Sequence, residues 1–255
     1  MLQLERQNMI YELIKTNGKI TIDELVSQFS VSSMTVRRDL AALEDEGKLV
    51  RTHGGAVSTS LTLEDPLTVK ETKYIDEKRD IAQYAMKFVF PNAKIILDSG
   101  TTTLELAKLI KYRDDLTIVT NDVKIAHELL DSNSEVILTG GNIQSKVGTL
   151  IGNQVMDFYR SIDVDLLFLG ANALDLDKGI SVPTLEKAQQ KQLMIESALK
   201  VWTLIDHSKF NKRAFAHVSS LNYITGVITD EGIDHFTNEK LSSLTDLHIA
   251  NSQKE

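Results

Sequence analysis

The chain has 255 residues, 28 Lys and Arg against 36 Asp and Glu, a formal net charge of -8 and no cysteine. That length allows one or two domains with a sizeable core. The missing cysteines exclude disulfides and thiolate metal centres, and the acidic balance argues against wholesale binding to polyanions.

The charge is uneven. Residues 1–57 hold seven basic and eight acidic side chains, and the remainder holds 21 and 28. The first part is therefore near neutral, and DNA binding must rest there on the placement of charge. The N-terminus has no apolar signal core, and no apolar run approaches the about 18 residues of a spanning helix. A cytoplasmic protein is expected.

Residues 1–57 carry helical periodicity. Ile10, Leu13 and Ile14 form one stripe, and Ile22, Leu25, Val26 and Phe29 follow the i, i+3, i+4, i+7 pattern. Thr21 and Glu24 can form a capping box for the second helix. A third helix is expected after Ser32 or Ser33, with Val36, Leu40 and Leu43 buried. Residues 48–57 then read as a short β-hairpin. Helices joined by a tight turn and followed by a hairpin form a winged helix-turn-helix. At 100° per residue the third helix shows Ser33, Met34, Thr35, Arg37 and Arg38 on its exposed side. Hydroxyls and guanidiniums suit phosphates and guanine edges. Arg51 and His53 would add to this surface from the wing.

The segment 31–40, Val-Ser-Ser-Met-Thr-Val-Arg-Arg-Asp-Leu, with Leu43-Glu44 and His53-Gly54-Gly55-Ala56, resembles the DNA-binding signature of the DeoR family of bacterial regulators. The resemblance implies that the helix holding Thr35, Arg37 and Arg38 enters the major groove.

Residues 58–70 are rich in Ser and Thr, contain Pro66, and read as a linker. Residues 71–238 alternate helical and strand signals. Strands are expected at Ile95–Leu97, Leu116–Val119, Val136–Leu138, Val164–Leu169, Val201–Ile205 and Ile224–Ile228. Apolar strands alternating with helices predict an α/β domain with a mostly parallel sheet covered on both faces. Residues 239–255 read as a polar tail.

Ligands of such sheets bind beyond the carboxyl ends of the strands. Asp98, Ser99, Gly100, Thr101 and Thr102 follow one strand and open a helix, a pattern suited to cradling a phosphate. Thr120-Asn121, Gly140-Gly141, Gly170 and Asn172 follow other strands. Each turn alone also reads as a helix cap or a tight turn. Asp206 and Lys209 follow a further strand, and Glu186 and Lys191 share a helix. A carboxylate can bind sugar hydroxyls and an ammonium a phosphate.

This half is also similar to the DeoR effector domain, through Asp98-Ser99-Gly100-Thr101-Thr102, Thr120-Asn121, Gly140-Gly141, Gly170-Ala171, Glu186 with Lys191, and Asp206-His207-Ser208-Lys209. That domain resembles the ribose-5-phosphate isomerase and CoA-transferase fold. The resemblance implies a regulator, with a repressor of a carbohydrate-utilisation operon expected. A phosphorylated sugar or a sugar-derived intermediate would release it from double-stranded operator DNA, and it would act as a homodimer or homotetramer.

The alternative is a sugar-phosphate isomerase with an accessory DNA-binding domain, for which Asp98, Glu186 and Asp206 are the available acid–base groups. The six histidines show no ligand spacing, and neither a complete GxGxxG nor a Walker loop occurs. No metal or cofactor is expected.

Overall fold

The computed structural model describes residues 3–17, 19–46, 48–52, 54–58 and 72–251. The chain divides near residue 65 into two compact units. His53 and most of the expected linker, residues 59–70, lie outside the described residues.

In the N-terminal unit, α1 (Gln3–Asn17) leads to β1 (Lys19–Thr21), α2 (Ile22–Phe29), α3 (Ser33–Asp45), β2 (Leu49–Thr52) and β3 (Gly55–Ser58). The apolar stripes meet: Ile10, Ile14, Leu25, Phe29, Val36, Leu40 and Leu43 share one buried cluster. The capping box forms. Thr21 Oγ1 accepts from Glu24 N at 3.2 Å, and Glu24 Oε2 accepts from Thr21 N at 2.7 Å. Ser32 caps α3 by accepting from Thr35 N at 3.2 Å.

The strand β1 has no local signal, because its partner is β3, more than thirty residues on; Ile20 pairs with Ala56. Gly55 permits that pairing. A Cβ there would stand 2.1 Å from the Ile20 carbonyl oxygen. The wing is thus a three-stranded antiparallel sheet of order β1-β3-β2.

The C-terminal unit begins with α4 (Ile75–Ala85). It continues through β4 (Lys94–Leu97), α5 (Thr101–Ile110), β5 (Thr117–Thr120), α6 (Val123–Glu128) and β6 (Glu135–Leu138). A hairpin of β7 (Asn142–Ile143) and β8 (Leu150–Ile151) precedes α7 (Asn153–Arg160) and β9 (Val164–Gly170). Then come β10 (Ala173–Asp175), β11 (Gly179–Val182), α8 (Leu185–Glu196), β12 (Ala198–Leu204), β13 (Ala216–Ser219), β14 (Gly226–Asp230), α9 (His235–Ser242) and β15 (Asp246–Ala250).

Seven strands form a parallel sheet of order β15-β14-β12-β9-β4-β5-β6. Side chains alternate between its faces. Ile95, Leu97, Ile118, Leu166, Phe168, Trp202 and Leu204 pack against α4, α5 and α6. Ile96, Val119, Leu167, Leu169 and Val201 pack with residues of α7, α8 and α9. Two small antiparallel sheets, β10-β11-β13 and β7-β8, were not anticipated.

The polar tail expected over 239–255 is a correction, with residues 252–255 outside the described residues. Residues up to Ser242 complete α9, and β15 adds an edge strand in parallel register, from Gly226 opposite Asp246 to Asp230 opposite Ala250. An edge strand is buried on fewer sides, so Asp246 and His248 mask the contributions of Leu247 and Ala250 to the two cores.

Two buried carboxylates carry measurable consequences. Asp39 on α3 is 1% exposed and accepts from Arg6 Nε at 2.6 Å, Arg6 Nη2 at 3.2 Å and Gln7 Nε2 at 3.3 Å. Removing one partner of a buried pair strands the other charge, so Asp39→Ala is expected to destabilise the N-terminal unit by about 3 kcal/mol. Urea unfolding of the full chain measures this, and a loss below about 1 kcal/mol would contradict it.

Asp122 caps α6, accepting from Lys124 N at 2.8 Å and Ile125 N at 3.3 Å. Burial raises its pKa to about 6, the two backbone bonds oppose the rise, and the charge of Asp98 adds to it. The folded pKa exceeds the unfolded value of about 3.9. The stability this group contributes is therefore full below about pH 4 and is lost as pH rises through about 6, on the order of 3 kcal/mol. Asp122→Asn keeps a capping oxygen and should flatten the pH dependence of the thermal midpoint over this window. An unchanged slope would assign the effect to other groups.

Candidate functional site

On α3, Ser33, Met34, Arg37 and Arg38 are exposed, and Thr35 is half-buried with its hydroxyl 2.9 Å from that of Ser32. Neither Arg37 nor Arg38 joins an ion pair among the described residues. Both guanidiniums are open to an anion. Arg51 differs. Its Nε lies 2.6 Å from Glu44 Oε2 and its backbone N–H donates to Glu44 Oε1 at 2.8 Å. These bonds, the backbone one first, hold the Glu44 carboxyl below its usual range. The wing arginine thus meets a phosphate only in competition with Glu44.

In the C-terminal unit the strand order reverses between β4 and β9, since β5 and β6 extend one way and β12, β14 and β15 the other. Such a reversal opens a crevice at the carboxyl ends of the two strands. Asp98 leaves β4 there and Gly170 ends β9. Asp98 is 1% exposed; its Oδ2 accepts from Gly170 N at 2.8 Å and from the ammonium of Lys191. Lys191 Nζ also donates to Gly170 O at 2.9 Å. A Cβ on Gly170 would stand 3.3 Å from Asp98 Oδ2 and 3.4 Å from Ser99 O, tight for any larger residue. Asp98, Gly170 and Lys191, distant in sequence, form one closed network.

Beside it, Ser99, Gly100 and Thr101 are half-buried and Thr102 is buried. Gly100 precedes α5 without a side-chain cap. The first N–H groups of that helix, with its positive dipole end, are therefore presented without an intramolecular side-chain acceptor from the N-cap. Asp206, at the end of neighbouring β12, is buried, and its Oδ1 accepts from Ser208 N at 3.0 Å and from the Ser208 hydroxyl. It closes a short 3-10 turn, His207–Lys209, that leaves Lys209 half-exposed.

The remaining predicted residues divide. Thr120 is buried and structural: its hydroxyl donates to Leu97 O at 2.8 Å and accepts from Asp122 N at 3.1 Å. Asn121 is buried, and its Oδ1 has no hydrogen-bond partner among the described residues. Asn172 is half-buried just past β9, and Glu186 is half-buried in the first turn of α8, whereas Lys191 on the same helix is inside.

Gly140 and Gly141 follow the edge strand β6, two strands from β4 and so about 10 Å away. Both take positive φ, and a Cβ on Gly141 would meet the Ile151 carbonyl oxygen at 2.7 Å. They shape the β7–β8 hairpin. Sequence reasoning missed Tyr159, whose buried phenol is held well above its usual pKa by burial and by the charge of Asp98. Its burial comes from packing between layers, so nothing in its local sequence marks it.

A DeoR-like helix-turn-helix domain matches residues 6–62, and a DeoR C-terminal sensor domain matches residues 73–231. The HTH-type transcriptional regulator GlpR of Haloferax volcanii is 37% identical, covering 95% of this chain and 96% of its own. The glycerol-3-phosphate regulon repressor of Escherichia coli is 32% identical, covering 90% and 92%. The HTH-type transcriptional regulator GolR of Listeria innocua is 35% identical, covering 92% and 93%. Among solved structures, ribose 5-phosphate isomerase A from Neisseria gonorrhoeae matches with a TM-score of 0.41 and 16% identity, over 56% of each chain. These relatives carry the names of regulators, and this chain belongs to the DeoR family of DNA-binding transcriptional regulators.

Proposed function

We propose that the protein represses a carbohydrate-utilisation operon and that a phosphorylated sugar, or an intermediate derived from one, releases it from the operator. The observation that carries this reading is the uncapped N-terminus of α5 at the reversal of strand order. A dianionic phosphoryl group is suited to such a place, because free N–H groups and the helix dipole both favour negative charge. Lys209 adds an ammonium from the end of β12, on the far side of β9 from β4, and Asp206, Asn121 and Asn172 offer polar atoms for hydroxyls. Asp98, Gly170, Lys191 and Thr120 build the walls, and Glu186 stands at the margin. The name of the Escherichia coli relative, a glycerol-3-phosphate regulon repressor, supports a phosphorylated effector.

On the DNA side, Arg37 and Arg38 reach bases and phosphates, with Ser33 and Thr35 hydrogen-bonding the backbone and Arg51 and His53 contributing from the wing. A single module of this size binds weakly, so two copies on paired half-sites are required, in a homodimer or homotetramer.

Arg38→Ala should weaken operator binding by about 1–3 kcal/mol while sugar-phosphate binding persists. Gel-shift titration checks this, and wild-type affinity in the variant would remove Arg38 from the interface. Lys209→Ala should bind operator as wild type does but lose release. The effector is sought by thermal shift with glycerol 3-phosphate, ribose 5-phosphate, fructose 1-phosphate and glucose 6-phosphate, since a ligand at 100 times its Kd stabilises the folded state by about 2.7 kcal/mol. A panel that neither shifts the protein nor frees it from operator would overturn the effector reading.

A further inference from the structure

The turn that carries Asp206 and Lys209 is held at His207. His207 N donates to Asp230 Oδ1 at 2.7 Å, and His207 Nδ1 lies 2.6 Å from Asp230 Oδ2. Gly232 N donates to the same Oδ2 at 3.0 Å. A Cβ on Gly232 would stand 2.4 Å from His207 Nδ1, so a larger residue there would require the imidazole to shift.

The other side of the imidazole meets Tyr74. The ring centroids are 4.7 Å apart at 71°, an edge-to-face contact. Tyr74 is the residue through which the chain enters α4. Its backbone is left-handed, with φ 56° and ψ 41°. An aromatic residue disfavours that region, and such conformations persist where surrounding contacts enforce them. Lys78 closes the same bend, its backbone N–H donating to Tyr74 O at 3.1 Å and its ammonium to Lys73 O at 2.5 Å.

We propose that Tyr74 couples the Asp206–Lys209 turn to the chain entering the C-terminal unit, so that sugar-phosphate binding at the turn alters operator binding through the Tyr74–His207 ring contact. The inference rests on the effector reading given above. An effector shifts an equilibrium only through contacts that differ between two states. Displacement of the His207 turn removes the ring edge that holds Tyr74 in a disfavoured conformation, and Tyr74 relaxes at the residue where the chain enters α4. Tyr74 touches neither ligand; it is a positioning residue.

The full-length protein is tested by titrating operator with and without whichever of the four sugar phosphates releases the wild type, and by measuring that compound's affinity separately. Tyr74→Ala should keep both affinities, while the ratio of operator affinities falls from the 5- to 150-fold range usual for coupled sites to within about twofold of one. Tyr74→Phe keeps the ring and should restore the wild-type ratio, which a general loss of packing would not explain. If Tyr74→Ala shows no cooperative thermal transition, Tyr74→Leu supplies the same readout with an apolar side chain and no ring edge. A folded variant that binds the compound and is released like wild type overturns this inference alone. A wild type released by none of the four compounds overturns the effector reading and this inference with it.

Discussion

A lysine ammonium buried against one carboxylate sets the architecture of the C-terminal unit. An isolated charge at the position of Lys191 or Asp98 would lose several kcal/mol of hydration, so neither tolerates the loss of the other. Their pairing spans 93 residues of sequence and joins α8 to the end of β4, with both backbone groups of Gly170 completing the network. It closes at the reversal of strand order. Its charges are mutually neutralised.

The N-terminal unit uses the same chemistry to orient a helix. Arg38, Asp39 and Leu40 are consecutive, yet Asp39 turns inward to Arg6 and Arg38 turns to solvent. The buried pair fixes the rotation of α3 against α1, and that rotation decides which guanidiniums face outward. In both units an internal ion pair ties together elements distant in sequence. Arg51 shows the intermediate case, an exposed arginine whose pairing with Glu44 competes with any external phosphate.

Glycine is used here for close approach as much as for turning. Gly55, Gly170 and Gly232 have no unusual φ in common; each lies where a Cβ would enter a neighbouring strand, carboxylate or ring. Gly141 combines both demands. Gly140-Gly141 therefore belongs to the hairpin it shapes, although in the sequence it looks like the other glycine-containing strand ends.

Features under local control are legible in the chain's own pattern. The helices of the N-terminal unit, their caps at Thr21 and Ser32 and the apolar core strands can be read from periodicity and spacing, because each depends on residues within a few turns of one another. The outward face of α3 follows from the same 3.6-residue repeat. Only the tertiary structure decided the rest: the pairing of β1 with β3, the edge strand β15, the inward turn of Asp39, and the meeting of Asp98, Gly170 and Lys191. The physical reason is the same in each. Strand pairing and buried ion pairs join residues tens of positions apart, and whether a polar side chain is solvated or paired is settled by what packs over it, which no local pattern records.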